Sequence, residues 1–98
     1  MDISSERLSY LIRISTLDFK NPIAIQDLIK KIKISRANFT FIKRLLKEQQ
    51  IITEQHSYGN AVLLTINIRK LDSFIKETSL YRLIANYVIM KDPLLHQI

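Results

Sequence analysis

Apolar residues recur every three or four positions along the first half of the chain, which is the period of an amphipathic helix. Ser4 or Ser5 is suited to cap a first helix, because a serine hydroxyl accepts a hydrogen bond from a free backbone N–H there. The helix should end before Asn21 and Pro22, since the residue before a proline avoids the helical region. Its inward positions would be Leu8, Leu11, Ile12 and Ser15.

Two more helices are predicted in close succession. An extended residue, Ile23, precedes a helix from Ile25 to Ile32, and Ser35 is a natural N-cap for a third helix from Arg36 to about Gln49. Two short helices that meet across a tight turn form a helix-turn-helix. The inward positions would be Ile25, Leu28, Ile29 and Ile32 in the second helix, and Phe39, Ile42 and Leu46, with Leu45 at the flank, in the third.

After the third helix the polar and apolar residues alternate with a period of two, which is typical of strands. One strand is predicted from Ile52 to His56 and a second from Ala61 to Ile66. Gly59, the only glycine of the chain, lies between them and is followed by Asn60. Gly-Asn between two extended runs favours a tight hairpin, because such turns need positive φ angles.

The last third returns to the helical period. Asn67 is suited to cap a segment with Leu71, Phe74 and Ile75 inward, and Ser79 to cap another that reaches about Met90. The pattern leaves open whether these are one helix or two. From residue 80 to 90 only Arg82 and Asn86 interrupt an apolar surface, so this helix must be buried nearly all round. We expect a homodimer interface there, with packing on the first helix as the alternative; the interface residues would be Leu80, Leu83, Ile84, Tyr87 and Val88.

The order of elements over residues 22–66 resembles the winged helix-turn-helix family, and the middle of the chain resembles regulators of the MarR type. The segments that carry the resemblance are residues 22–28, 34–40 and 46–52. It implies a mainly α fold with a small β-hairpin, in a single domain over residues 1–98. Residues 22–66 would be the core, and residues 67–91 a C-terminal helical segment for dimerisation.

Two features depart from the family pattern. Glycine is frequent in the turn and before the first wing strand, where this chain has Lys33 and Gln50. Non-glycine residues at positive φ are uncommon, so we expect a different turn geometry. The wing also lacks the arginine that is frequent at its tip and has His56, Tyr58 and Asn60 instead.

The net charge of +6 is unevenly distributed along the chain. Seven of the fifteen basic residues lie between positions 30 and 47, where no acid occurs. Such clustering is a plausible footprint for a polyanion, and a solvated helix surface is the simpler alternative. The seven are Lys30, Lys31, Lys33, Arg36, Lys43, Arg44 and Lys47.

The resemblance implies that the third helix enters the major groove of DNA. Arg36 would reach a guanine edge, Thr40 a thymine methyl group or a phosphate, and Arg44 and Lys47 phosphates. Phe41, predicted to be exposed, would pack on a thymine methyl group, the wing, a partner chain or the core. The full predicted DNA-contacting set is Lys33, Ser35, Arg36, Ala37, Thr40, Lys43, Arg44, Lys47, His56, Tyr58 and Asn60.

The sequence gives no indication of an enzyme. There is no cysteine, the two histidines, His56 and His96, are far apart, and one glycine cannot form a multi-glycine phosphate loop. We therefore expect no catalytic site, metal or cofactor. The N-terminus lacks a signal-peptide layout and no apolar run has the length of a membrane span, so we expect a cytoplasmic protein.

The most economical hypothesis is a sequence-specific protein that binds double-stranded DNA as a homodimer and regulates transcription. One alternative is a centromere-binding adaptor of a plasmid or phage DNA partition system, since adaptors of this kind share the fold. Another is a winged-helix protein–protein interaction module whose basic face meets an acidic protein.

Overall fold

The computed structural model describes residues 3–56, 59 and 61–91, with the side chains of all of these except 81, 82 and 84–91. Over these residues the fold is mainly helical and contains the hairpin, as the sequence predicts, and the short strand at Ile23 joins the hairpin in a small three-stranded antiparallel sheet. The arrangement is compatible with a winged-helix-like fold. The elements in chain order are α1 (Ser5–Thr16), β1 (Ile23–Ala24), α2 (Ile25–Ile32), α3 (Arg36–Glu48), β2 (Ile52–His56), β3 (Val62–Ile66) and α4 (Ile68–Lys91).

Helix α1 begins where its cap predicts but buries a different face. The Ser4 hydroxyl accepts a hydrogen bond from the Arg7 backbone N–H at 3.2 Å. Ile12, predicted to face inward, is 43% exposed, whereas Leu11 and Ile14 are fully buried. Leu11 and Ile14 are three residues apart and share one face of the helix. The prediction for Ile12 was wrong because α1 packs against α2, α3 and α4, and these neighbours select the face.

Helices α2 and α3 match the predicted arrangement. The turn between them and the turn after α3 correct one expectation. Lys33 has a φ of 53° and Gln50 a φ of 58°, so both keep the left-handed conformation without glycine. The expectation that the missing glycines change the turn geometry was therefore wrong. Backbone hydrogen bonds hold each position: Ile34 N–H donates to Ile29 C=O at 3.4 Å, and Ile51 N–H donates to Leu46 C=O at 2.8 Å.

The sheet has the strand order β1-β3-β2, with β3 in the centre. In the hairpin Ile52 pairs with Ile66 and His56 with Val62, and β3 begins one residue later than predicted. Gly59 has a φ of 86°, which confirms the positive φ expected there. The side chain of Asn21 prolongs the β1 edge, since its amide donates to Ile66 C=O at 2.8 Å and its carbonyl oxygen accepts from Ile66 N–H at 3.0 Å.

One hydrophobic core joins the three-helix unit, the sheet and the start of α4. The predicted inward residues of α3 are buried, and Leu45 is buried with them. Burial of this one side of α3 leaves its opposite side to solvent. The largest fully buried side chains are Leu11, Ile14, Leu28, Ile32, Ile42, Leu64, Ile66 and Leu71.

The C-terminal segment is one continuous helix, α4, capped by Asn67, whose side-chain oxygen accepts from Lys70 N–H at 3.1 Å. Ser79 lies inside this helix, so of the two alternatives left open by the pattern the structure has one helix, and Ser79 caps no second one. Leu71, Phe74 and Thr78 are buried, but Leu80 is 56% exposed and Leu83 66% exposed. The other predicted interface residues, Ile84, Tyr87 and Val88, have side chains outside the described set.

Candidate nucleic-acid interface

The candidate site is built on the side of α3 that faces away from the core. The Ser35 hydroxyl accepts a hydrogen bond from Asn38 N–H at 3.2 Å and fixes the start of the helix. Because side chains three and four positions apart share a helix face, the solvent side gathers a short set of predicted DNA-contacting residues. The exposed members are Arg36, Ala37, Thr40, Arg44 and Lys47.

Two arginines on this face are uncommitted. Among the described residues, no ion pair or side-chain hydrogen bond involves the guanidinium group of Arg36 or Arg44. Thr40 is different, since its hydroxyl already donates to Arg36 C=O at 2.9 Å. Its methyl group and the oxygen lone pairs remain for contacts. The face therefore offers two planar five-donor groups and one small amphipathic side chain.

The remaining cations of α3 are paired with an acid that the sequence analysis missed. The Glu54 carboxylate, on β2, lies 2.8 Å from the Lys43 ammonium and 3.4 Å from that of Lys47. The hydrogen bond from Lys43, together with the charges of both lysines, holds the pKa of Glu54 below its ordinary value, although desolvation opposes it. The stretch from 30 to 47 contains no acid, yet the fold brings one to it from β2.

The other predicted contacts surround α3. Lys33 is exposed in the turn before it, and His56 is exposed at the end of β2. An open groove of about 570 Å³ is lined by α2, α3 and the hairpin, with Arg36, Thr40, Lys43, Ile25 and Val62 among its lining residues. Tyr58 and Asn60 were also predicted to contact DNA and lie outside the described residues.

Phe41 was predicted to be exposed, and this was wrong. It is partly buried and packs against the hydrophobic core. Of the four roles considered for it, core packing is the one that this position supports. The guanidinium carbon of Arg7, on α1, lies 3.5 Å from the centroid of its ring. Sequence reasoning also missed Arg7, because a contact between α1 and α3 depends on how the two helices cross.

A second arginine of α1, Arg13, has a structural role. Its guanidinium donates to Ile32 C=O, at the end of α2, at 3.0 Å, and lies 5.3 Å from the Tyr10 ring. A cation near a helix C-terminus also complements the helix dipole. Arg13 therefore ties α1 to α2 and has fewer donors free than Arg7.

The described residues contain neither a cluster of metal ligands nor a helix that could span a membrane. The described residues include no group of three or more histidine, aspartate or glutamate side chains that could hold a metal ion. None of the described helices has the length and apolar character needed to cross a membrane.

Comparison of the chain with protein-family models, with curated proteins and with solved structures found no match. The assignment of a function therefore depends on the geometry and charge of the α3 face.

Proposed function

We propose that the protein binds duplex DNA sequence-specifically, with α3 as its reading helix, and acts as a dimeric transcriptional regulator. The observation that carries the proposal is the solvent face of α3, where Arg36 and Arg44 are exposed and unpaired among the described residues. The opposite face is anchored in the core by Phe39 and Ile42, so the arginines project from a rigid element.

The dimensions of α3 suit the major groove. Its 13 residues give a length of about 20 Å, and a groove about 12 Å wide admits one helix. Arg36 lies in the first turn, which is the part of a reading helix that approaches base edges. Its fork of donors matches the two acceptors of guanine, while Arg44, two turns later, is placed for phosphate.

The dimer is proposed from α4. Leu80 and Leu83 are largely exposed on a helix that continues past the buried Thr78. Neither is covered by α1 in the single chain, which favours a second copy of α4 as the cover. In a two-fold dimer the same patch would serve both chains, and two α3 helices would read two half-sites.

Binding to duplex DNA as a function of salt tests the proposal. Affinity for a fluorescent duplex, measured by anisotropy from about 50 to 200 mM salt, should fall steeply, because each neutralised phosphate contributes about −0.9 to the log–log slope. Arg44→Ala should weaken binding to all duplexes alike. The control Lys76→Ala, an exposed cation on α4, should leave binding unchanged.

A site selected from random duplexes separates reading from simple charge attraction. Arg36→Ala should cost about 1–3 kcal/mol on the selected site and little on random DNA. Equal losses on both would make Arg36 a phosphate contact. If the unmodified protein bound no duplex at low salt but captured an acidic polypeptide, the DNA-binding proposal would be wrong and a protein-interaction module would replace it.

A further inference from the structure

Helix α1 carries an arginine that contacts α3 but is not part of the exposed α3 face. Arg7 lies in the first turn of α1, and its guanidinium carbon is 3.5 Å from the centroid of the Phe41 ring. That distance is well inside the limit of about 6 Å for a cation–π contact. The contact joins two helices, so it places a charge from α1 at a defined point beside α3.

Phe41 sits at the boundary between the buried and exposed sides of α3. The next residue, Ile42, is fully buried, whereas Arg44, three positions after Phe41, is exposed. Residues three apart are neighbours on a helix surface. The guanidinium of Arg7 therefore lies on the edge of the proposed DNA-contacting face, on the side where α1 crosses α3.

The contact with the ring leaves the donors of Arg7 available. A guanidinium carbon 3.5 Å from a ring centroid is at stacking distance, and in a stack the ring covers one flat side of the group while its N–H groups point outward in the plane. Within the described part of the chain, no carboxylate or carbonyl group accepts a hydrogen bond from the Arg7 side chain. Arg13 on the same helix differs, because it already donates to Ile32 C=O.

We propose that Arg7 binds a DNA backbone phosphate on the α1 side of α3, and that Phe41 is a positioning residue that holds its guanidinium. This rests on the proposed insertion of α3 into the major groove. A helix in that groove has a row of phosphates on each side. The β2 side has Lys43 and Lys47, both paired with Glu54, while the α1 side has Arg7 with an open donor fork that suits phosphate.

The test compares matched variants in the anisotropy titration with the full chain. Arg7→Gln should reduce the magnitude of the salt slope by about 0.9, the value for one phosphate, and weaken selected and random duplexes alike. Lys76→Gln removes the same charge from an exposed site on α4 and should leave the slope unchanged.

The role of Phe41 is tested by a double-mutant cycle. Phe41→Leu keeps apolar volume on the core but removes the ring, so it should lower DNA affinity although it changes no charge. In the Arg7→Gln background the same change should cause no additional loss, because the residue that it positions is gone. A merely structural role would instead give additive losses. Thermal unfolding by circular dichroism identifies the temperature at which all variants are folded.

Two outcomes separate this inference from the proposed function. If Arg7→Gln gave the slope of the unmodified protein while binding stayed salt-dependent, Arg7 would not contact phosphate and only this inference would fail. If the unmodified protein bound no duplex, the proposed function itself would fail. Should Phe41→Leu prove unfolded, the Arg7→Gln slope still decides the phosphate contact.

Discussion

Gln50 shows how a single residue can hold a conformation that its side chain disfavours. Its φ is 58°, and it follows the last turn of α3. Gln50 N–H donates to Lys47 C=O at 3.0 Å, and Ile51 N–H donates to Leu46 C=O at 2.8 Å. This pair of bonds is the Schellman motif that closes many helices, usually with glycine at the left-handed position. The motif and the burial of Ile51 impose the left-handed backbone on a glutamine.

We predict that Gln50→Gly raises the free energy of unfolding by about 1 kcal/mol. The left-handed conformation costs a non-glycine residue about 1–3 kcal/mol, and the extra freedom of glycine in the unfolded chain offsets about 0.5–1 kcal/mol of the gain. Urea denaturation would measure the difference.

The neighbouring Gln49 provides the control for this prediction. It has the same side chain but a φ of −84°, so it has no left-handed strain to relieve. Gln49→Gly should therefore lower the stability. If both substitutions lowered it equally, the left-handed backbone at position 50 would carry no strain.

At the level of the elements, most features set by neighbouring residues were predicted from the sequence, whereas contacts between distant elements were not. The bounds of α2, the cap of α3 and the positive φ of Gly59 follow from residues within a few positions of each other, and all three were predicted from the sequence. The Schellman turn at Gln50 also depends on local hydrogen bonds, but it was not predicted because its left-handed position carries a glutamine instead of the usual glycine.

Three other features were missed because they depend on packing between elements that are distant in the chain: the buried face of α1, the contact of Arg7 with Phe41, and the ion pair of Lys43 with Glu54. Ile12 is exposed and Ile14 is buried because three other helices select the face of α1. The contact between Arg7 and Phe41 depends on the crossing of α1 and α3. In the candidate site, the exposed face of α3 was predictable from its period. The ion pair of Lys43 with Glu54 was not predictable, because it depends on how β2 packs beside α3.

The link between α3 and β2 gives a pH-dependent prediction. Glu54 is 22% exposed at its side chain and contacts two lysines, so Glu54→Gln should lower the free energy of unfolding at pH 7 by about 0.2–1 kcal/mol. Its pKa is lower in the folded chain than the ordinary value of 4.5. Its stabilising effect is therefore fully present above the unfolded pKa and is lost as the pH falls through the folded pKa.

The measurement is a pair of urea denaturation series for the unmodified protein and Glu54→Gln, one at neutral pH and one well below the folded pKa. The difference in stability should disappear at the lower pH. Glu48→Gln provides the control, since Glu48 is an exposed acid of α3 with no ion pair among the described residues. A Glu54→Gln difference that persisted unchanged in acid would mean that the glutamine perturbs packing instead of an ion pair.

At the scale of the whole molecule, α4 gives the protein its elongated shape. The Cα atoms extend over 60 Å along the longest axis and 25 × 22 Å across it. In the first half of α4, Leu71 and Phe74 belong to the core and Thr78 is buried, and further along the helix Leu80 and Leu83 face solvent. A long helix with two large apolar side chains exposed on it is well suited to pair with a second copy of itself.

We predict that Leu83→Glu converts a dimer to a folded monomer. Because Leu83 is 66% exposed in the single chain, the substitution should change monomer stability by no more than about 0.5 kcal/mol. At a two-fold interface it would place two carboxylates in one apolar patch, and the unpaired charges would oppose association. Sedimentation velocity at tens of micromolar, about the range where weak dimers form, would show the change. Gln55→Glu adds the same charge at an exposed site on β2 and should leave the sedimentation unchanged.

Assembly and DNA recognition are coupled in this hypothesis, and the coupling has its own signature. Each monomer would read one half-site, and joining two readers raises the affinity for a full site through effective concentration. Leu83→Glu should therefore lose affinity for a selected two-fold site well before it loses affinity for random duplex, while Arg44→Ala should weaken both alike. A sedimenting species of one chain for the unmodified protein, both free and on DNA, would contradict the dimer. The exposed leucines of α4 would then need another partner, and α3 would act as a single reader.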